Sequence, residues 1–370
     1  FKQKTAYEIR LSLVGSEMCI RDRILEIALE HGCDALHPGY GFLSENAGFA
    51  RQCASAGVAF VGPSPESLEL FGDKAAARAL AERLGVPVLP GLSRPVSLAE
   101  ARAFLEGLGP AGAVMLKAVA GGGGRGMRPV DRMADLDSAY ERCGSEALQA
   151  FGSADLYVEE LYPRARHIEV QVIGDGSGAA SHLWDRECSL QRQRQKVIEV
   201  APAFGVPEDV RTAMLAAAVD LASAARYRGV GTIEFLLDAR PGADGFIFME
   251  ANARLQVEHT VTEAVLGLDL VRLQLRIAKG ATLGDLGLQP GTTPAPRGVA
   301  IQARVNLETM TADGSSRPSG GVLTSYEPPA GPGVRVDGFG YAGYVTSPRY
   351  DSLLAKVIVH DDCLPKAVSR

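Results

Sequence analysis

Cysteine is sparse and unpatterned: Cys19, Cys33, Cys53, Cys143, Cys188 and Cys363 are scattered over 370 residues, with no Cys-x-x-Cys pair and no histidine at metal-ligand spacing. In a chain of this size that scatter favours reduced thiols over disulfides or a zinc site, and with them a cytoplasmic or organelle-matrix setting. Long apolar runs are missing as well. None approaches the roughly 18 residues needed to cross a bilayer, and the opening FKQKTAYEIRLSLVGSEMCIRDR lacks the apolar length and cleavage site of a secretory signal. There is no basic tract either. With 38 Lys and Arg against 44 Asp and Glu the formal net charge is −6, which argues against nucleic acid or an anionic membrane as a partner.

What is present divides the chain. Its length allows two or three cored domains, since single cores seldom grow beyond about 250 residues. From Ile24 to about Pro65 the helix-like RILEIALEHG, a strand at CDALH, the turn HPGYGF, a second helical stretch and the strand VAFVG alternate as in a parallel α/β layer. A helix is expected from near Asp73 to Gly85. Residues 113 to 130, AVMLKAVAGGGGRGMRPV, read as a strand, four glycines and a second strand. Gly121, Gly123 and Gly126 fit G-x-G-x-x-G, but Pro129 and MRPV stand where a dinucleotide fold needs a helix, and no Lys-Ser or Lys-Thr follows as in a Walker A loop. A glycine-rich hairpin remains, able to fold over a ligand and offer N–H groups to phosphate; a plain surface loop is the alternative. The strands YVEELY and HIEVQVIG follow, then a helix from about Glu208 to Tyr227, and one near Thr262 to Lys279 with Leu266, Leu270, Leu273 and Ile277 on a stripe. After Gly298 short strands rich in Gly and Pro suggest a separate, largely β unit.

The most informative stretch is EANARLQVEH, residues 250 to 259. Read as a strand, it puts Glu250, Asn252, Arg254, Gln256 and Glu258 on one face. Before it, TIEFLLD and FIFMEAN flank ARPGADG, a fair hairpin loop, and centring the hairpin on Gly242 sets Glu234 directly opposite Glu250. Opposed residues have Cβ atoms about 5 Å apart, where like charges repel. A divalent cation removes the conflict. Mg²⁺ takes one or two carboxylates plus substrate phosphates, so Glu234, Glu250 and the amide oxygen of Asn252 form a magnesium-nucleotide site on this reading. A lone glutamate pair would more simply bend apart into solvent; Asn252 and Arg254 continuing the same face favour the cation.

Lys117, inside the apolar VMLKAV, is costly unless its charge is matched, and a phosphate would match it. Lys74 opens a helix, where a solvated role is equally natural. Arg194 and Lys196 lie in QRQRQK, which could be a polar edge strand, and Arg304 shares a polar face with Gln302 and Asn306 in VAIQARVNLE, alone a structural feature.

Taken together, HPGYGFLSEN, GPSPES ahead of GDK, KAVAGGGGRGM, WDRECSLQRQRQKVIEVAPA, TIEFLLD and MEANARLQVEHTVTE closely resemble the biotin carboxylase component of biotin-dependent carboxylases, from about Ile24 to at least Val359. The resemblance implies a mixed α/β and α+β multidomain architecture: an incomplete Rossmann-like N-terminal domain (24–72), an ATP-grasp domain (73–281) with its lid within about 90–160, and part of a mostly β C-terminal domain (298–370). It implies ATP, Mg²⁺ or Mn²⁺, bicarbonate and carrier-linked biotin as ligands, with biotin carboxyl carrier and carboxyltransferase parts and a second copy of the chain as partners. Lys74 and Lys117 then correspond to phosphate lysines, Gly123 and Gly124 to the lid, Glu159 and Leu161 to the adenine hinge, and His167 to a nucleotide contact. Glu234, Glu250 and Asn252 correspond to metal ligands, Lys196, Arg254 and the Val257 backbone to the bicarbonate pocket, Glu258 to the general base, and Arg304 to the arginine facing the biotin ureido oxygen.

The chain departs from this pattern where it has Arg194 for the usual histidine beside the phosphates and Glu160 for a frequent lysine. Residues 1–23 do not resemble the family's opening strand and helix and are read as a foreign or mistranslated stretch, or a truncated gene model, joined at about Arg23; the chain is read as a fragment of a longer protein. The rival readings are another bicarbonate-activating ATP-grasp ligase of the carbamoyl-phosphate synthetase kind, and a nucleotide-binding subunit without turnover. The biotin half-reaction is common to acetyl-CoA, propionyl-CoA, longer acyl-CoA, pyruvate and urea carboxylases, so these residues do not select the final acceptor.

Overall fold

Three short polar side chains set where helices begin. Ser64 accepts from Ser67 N–H, Asp73 accepts from the N–H groups of Ala75 and Ala76, and Ser97 forms a reciprocal capping box with Glu100. Each satisfies N–H groups that a first helical turn leaves free. The computed structural model describes residues 20–41, 43–92, 94–110, 112–119, 126–162, 164–238, 245–312, 315–349 and 351–370. The glycine run with Gly123 and Gly124, the hairpin centre at Gly242 and most of the opening stretch read as foreign lie outside them.

The N-terminal unit comprises α1 (20–30), β1 (Ala35–Leu36), α2 (Ala47–Ser55), β2 (Ala59–Phe60), α3 (Pro65–Gly72) and α4 (Lys74–Arg83). Its two strands pair in parallel, as the alternation of apolar strand and helix predicts. Next come β3 (Gly91–Leu92), α5 (Leu98–Gly107), β4 (Val114–Ala118), β5 (Met127–Val130), α6 (Leu136–Phe151) and β6 (Leu156–Glu160). These strands form an antiparallel sheet in the order β3-β6-β4-β5, with its own core of Leu105, Val114, Leu116, Leu136, Leu156 and Val158.

The remaining elements are β7 (Ala165–Asp175), β8 (Ala180–Arg192), β9 (Gln195–Ala201), α7 (Glu208–Ala224), β10 (Arg228–Asp238), β11 (Phe246–Asn252), α8 (His259–Leu266), α9 (Leu270–Ala278), α10 (Leu283–Leu286), β12 (Val299–Asn306), β13 (Glu308–Met310), β14 (Ser316–Pro318), β15 (Gly321–Val322), β16 (Val334–Gly338), β17 (Val345–Thr346), β18 (Leu353–Asp361) and α11 (Leu364–Ser369). Among the described residues, eight strands make one antiparallel sheet ordered β11-β10-β7-β8-β9-β12-β18-β16. α7 packs with the N-terminal helices in one core that includes Phe49, Leu68, Met214, Leu221 and Phe235, and α8 and α9 in another that includes Leu183, Val230, Val265 and Leu273.

Three expectations are corrected. The strand expected over 250–258 ends at Asn252, and residues 253–258 form an irregular turn into α8. The helix expected over 262–279 is two helices: Gly267 has φ 67°, a left-handed conformation that glycine adopts without a Cβ penalty, and it ends α8 before Asp269 caps α9. Of the strands after Gly298, expected as a separate β unit, β12, β16 and β18 join the central sheet, while β13–β14 and β15–β17 form small two-stranded pairs. β12 pairs with β9 and so continues the central sheet, which carries Arg304 to the face where Glu199 and Glu258 lie.

Candidate active site

Hairpin geometry brings the acidic residues together. Thr232, Ile233 and Glu234 pair with Asn252, Ala251 and Glu250, so Glu234 and Glu250 are cross-strand partners as the loop position predicts; outward of this pair the register shifts by one residue at a bulge around Met249. Glu234 also faces Glu169 on β7, and Glu169 faces Arg186 on β8. Cross-strand partners share a sheet face, so three carboxylates and one guanidinium form a row across four strands.

Adjacent carboxylates at this spacing repel unless cations divide them. Arg186, fully buried, does this on one side: Nε donates to Glu169 Oε1 at 2.5 Å, and its other nitrogens donate to Gln171, Thr232, Thr262 and Gln256. Lys196 does it above the row. Its Nζ donates to Glu169 Oε2 at 2.5 Å, Glu258 Oε1 at 2.8 Å and Glu234 Oε1 at 2.9 Å. Burial pushes this ammonium down, but three carboxylates outweigh it and hold its pKa well above the ordinary lysine value. His167 Nε2 lies 2.7 Å from Glu234 Oε2. The contact is a charge pair and not an aligned hydrogen bond, and although burial lowers the imidazole, Glu234 raises it further. Glu234, for its part, is raised by burial and lowered more by Lys196 and His167, so it is held well below the usual carboxylate range.

Glu258 stands at the end of the turn, between two cations. Arg304 Nη2 donates to its Oε2 at 3.0 Å while Lys196 holds Oε1. Burial lifts its pKa, and Lys196, Arg304 and Arg186 depress it further, leaving the carboxylate anionic and far below its ordinary value. Arg304 also donates through Nε to Glu199 Oε1 at 2.6 Å. Glu199 is pushed up to about 7, chiefly by burial, against the pull of Arg304. Arg254 reaches back to the N-terminal unit, donating to Glu45 Oε2 at 2.9 Å and to Asn252 Oδ1 at 3.0 Å. Lys356 on β18 donates to the carbonyl of Val257 at 2.8 Å and so pins the turn that carries Glu258.

Beside this network a cavity of about 480 Å³ opens between the N-terminal unit and the smaller sheet, lined among others by Lys74, Lys117, Tyr157, Glu159, Met249 and Glu250. Here charge is less completely matched. The charge of Lys117 is matched by Glu159 on the adjacent strand, so the strand lysine does not depend on phosphate for a partner. Burial depresses Lys74, partly offset by Glu250, and among the described residues neither Lys74 nor Glu250 has a hydrogen-bond or ion-pair partner.

Oxygen donors favour a hard cation. Glu250 is open toward the cavity and Asn252 offers an amide oxygen already shared with Arg254, while Glu234 Oε1 accepts from Lys196, Asn252 and Gln256 and its Oε2 faces His167, so an ion held by this set would take Glu250 first and Glu234 only in exchange for one of those contacts. A different trio, His167, Glu169 and Glu234, has ligand atoms within 4.8 Å of one another, but Lys196 is bonded to both carboxylates and fills the cationic position.

Most expected residues converge: Lys196, Glu234, Asn252, Arg254, Val257, Glu258, Arg304 and His167 in the network, and Lys74, Lys117, Glu159 and Glu250 on the cavity. The Leu161 N–H donates to Ala113 at 2.8 Å, so an adenine contact there requires that bond to open. Arg194 is on the exposed β8–β9 turn, where Gln193 and Arg194 both have positive φ, and donates to Met127 O at 3.2 Å at the start of β5. Arg186, Glu169, Glu199 and Lys356 were not singled out in the sequence; for Arg186 and Lys356, an arginine or lysine at an inward position of an apolar strand was the available signal.

Family models match three parts of the chain: "Biotin carboxylase, N-terminal domain" over residues 4–68, "Carbamoyl-phosphate synthase L chain, ATP binding domain" over 73–286, and "Biotin carboxylase C-terminal domain" over 302–370. A pyruvate carboxylase of Aspergillus niger is 48% identical over 345 residues, covering 93% of this chain and 28% of that protein. Mitochondrial pyruvate carboxylase of Homo sapiens is 46% identical over 349 residues, 94% of this chain and 29% of that protein. The chain thus spans less than a third of the length of these curated relatives. Among solved structures, a biotin carboxylase–β-γ-ATP complex from Campylobacter jejuni superposes with TM-score 0.87 at 40% identity, covering 94% of this chain and 76% of that one. The biotin carboxylase domain dimer of Hydrogenobacter thermophilus 2-oxoglutarate carboxylase, in complex with MgADP, ADP and bicarbonate, gives 0.88 at 40% identity, covering 95% and 75%.

Proposed function

The chain belongs to the biotin carboxylase family, with an ATP-binding domain of the carbamoyl-phosphate synthase large-chain type, and from that premise we propose that it carboxylates biotin with bicarbonate and ATP. The observation that carries this reading is the juxtaposition of Glu258, clamped between Lys196 and Arg304, with a cavity on which Lys74 and Glu250 have no hydrogen-bond or ion-pair partner among the described residues.

In this reading the ATP phosphates lie along Lys74 and Lys117, with Gly123 and Gly124 closing over them, and adenine lies at Glu159 and Leu161. A divalent ion held by Glu234, Glu250 and Asn252 neutralises phosphate charge when bound. Bicarbonate enters between Lys196, Arg254 and the Val257 backbone. While both its oxygens are held by Lys196 and Arg304, Glu258 is a weak base. An anion that draws Lys196 to itself weakens that hold and raises the basicity of Glu258, so substrate binding itself arms the base. Glu258 then takes the bicarbonate proton; the oxyanion attacks the γ-phosphorus, the bond to the β-phosphate oxygen breaks, and ADP leaves. Carboxyphosphate divides into CO₂ and phosphate. The phosphate removes the N1 proton of biotin, Arg304 stabilises the charge that develops on the ureido oxygen, and N1 attacks CO₂. Lid closure excludes water that would hydrolyse the intermediate.

The reaction class is an ATP-dependent C–N ligase of the biotin carboxylase type. Carrier and carboxyltransferase parts are the partners this reading requires; a homodimer, as in the Hydrogenobacter domain, and a cytoplasmic or organelle-matrix setting go with it. Among the described residues no helix is long and apolar enough to cross a membrane. The test is ATP cleavage that depends on bicarbonate and rises with free biotin. Arg254→Ala should abolish the bicarbonate-dependent part while nucleotide binding persists; undiminished turnover in that variant removes Arg254 from the mechanism. ATP cleavage indifferent to biotin would favour the carbamoyl-phosphate synthetase kind of chemistry instead.

A further inference from the structure

Arg304 is held from two sides, and only one of them belongs to the machinery described above. On the other side Glu199 Oε1 accepts from Arg304 Nε, and Nη2 lies 2.6 Å from the same oxygen. Glu199 Oε2 accepts from Gln302 Nε2 at 2.9 Å, and Gln302 Oε1 accepts from the Thr260 hydroxyl. Glu199 and Gln302 are cross-strand partners on β9 and β12, and Arg304, two residues further along β12, shares their face. Glu199, Gln302 and Thr260 are all inaccessible to solvent. Turning the Glu199 carboxylate away would leave a buried donor and acceptor unmatched, so the chain from Thr260 to Arg304 is fixed.

One guanidinium therefore serves two carboxylates. A planar arginine fork released from Glu199 would turn both its arms onto Glu258, its nearest remaining anion. That would occupy the base and withdraw the guanidinium from the space in which an oxyanion is to be stabilised. We propose, building on the biotin reading above, that Glu199 is a positioning residue: it keeps Arg304 aimed at the biotin ureido oxygen and prevents it from closing on Glu258. Glu199 touches no substrate and acts only through Arg304.

The decisive comparison is Glu199→Gln against the unaltered chain, reading bicarbonate-dependent ATP cleavage with and without free biotin. Glu199→Gln should lower kcat/KM for biotin at least tenfold while KM for ATP stays within twofold. Thr260→Val, which frees the far end of the chain of hydrogen bonds and alters volume little, should lower it about threefold. A purely structural role would instead move the ATP and biotin constants together, in step with thermal stability, and that result overturns the proposal. So does a folded Glu199→Gln protein with an unchanged biotin constant; should that variant fail to fold, an unchanged constant in Thr260→Val overturns it. If the unaltered chain cleaves ATP without any response to biotin, the functional reading falls and this inference falls with it. A biotin response that survives both substitutions refutes only the role of Glu199.

Discussion

On the face of the central sheet, the charges of Glu169, Glu234, Glu258, Arg186, Lys196 and Arg304 are interlocked within hydrogen-bond distance, whereas a few residues away Lys74 and Glu250 line a cavity with no described partner. The difference shows two ways of preparing for anionic substrates. The cavity keeps charge in reserve, at some cost in desolvation, for a ligand that brings charges of both signs. The network is neutralised in advance, so bicarbonate binding there must exchange one partner for another, and the exchange alters the basicity of Glu258. A buried ion network is also sensitive to the loss of any one member, while an unpaired cavity residue contributes little to folding.

That contrast can be broken at its most buried point. Arg186→Leu should destabilise the protein by about 3–5 kcal/mol, because Glu169 would remain buried with its guanidinium gone. A denaturant midpoint close to that of the unaltered protein would show that the network does not depend on its central cation. A smaller effect should come from acid. His259, behind Glu258 and donating through Nδ1–H to Gln256 O at 2.8 Å, is lowered by burial from 6.5 to about 4. Its depressed folded value means the unfolded chain binds the proton first. The stability it confers is complete above pH 6.5 and is lost as pH falls towards 4, amounting to about 3 kcal/mol. Melting curves across that window should flatten in His259→Gln; an identical slope would exclude His259 as the source. Smallest for stability, and largest for chemistry, is Glu250→Gln. It should change unfolding free energy by less than about 1 kcal/mol, as no hydrogen-bond or ion-pair partner among the described residues is lost, while ATP cleavage in Mg²⁺ falls about 100-fold. A large loss of stability here would mean that the cavity side is paired after all.

Parts of this site were readable one residue at a time. The opposition of Glu234 and Glu250 is the one that centring the hairpin on Gly242 predicts, but the register on the loop side is one residue off, and the bulge around Met249, which no local rule announced, restores the pairing. The polar face of Gln302 and Arg304 was equally legible, and both do meet the same carboxylate. The strand reading of 250–258 failed in an instructive way. Alternation put Arg254, Gln256 and Glu258 with Glu250, and they do converge near Glu234, but through a turn and not a strand. Polar residues drawn to one ionic centre can alternate without extended backbone. Likewise the leucine stripe continued across Gly267 because two helices packed on one sheet keep their apolar sides in common.

By itself, then, the sequence determined the local frame: capped helices, a hairpin that opposes two glutamates, motifs shared with a family, and the polar faces of individual strands. Which strands lie beside one another was decided only in three dimensions. Arg304 and Glu199 are 105 residues apart and meet because β12 pairs with β9, and Lys196 reaches three carboxylates from three different segments. Such pairing depends on the simultaneous burial of both sheet faces under α7, α8 and α9, a collective balance of apolar packing against the desolvation of charge that no short window of residues contains.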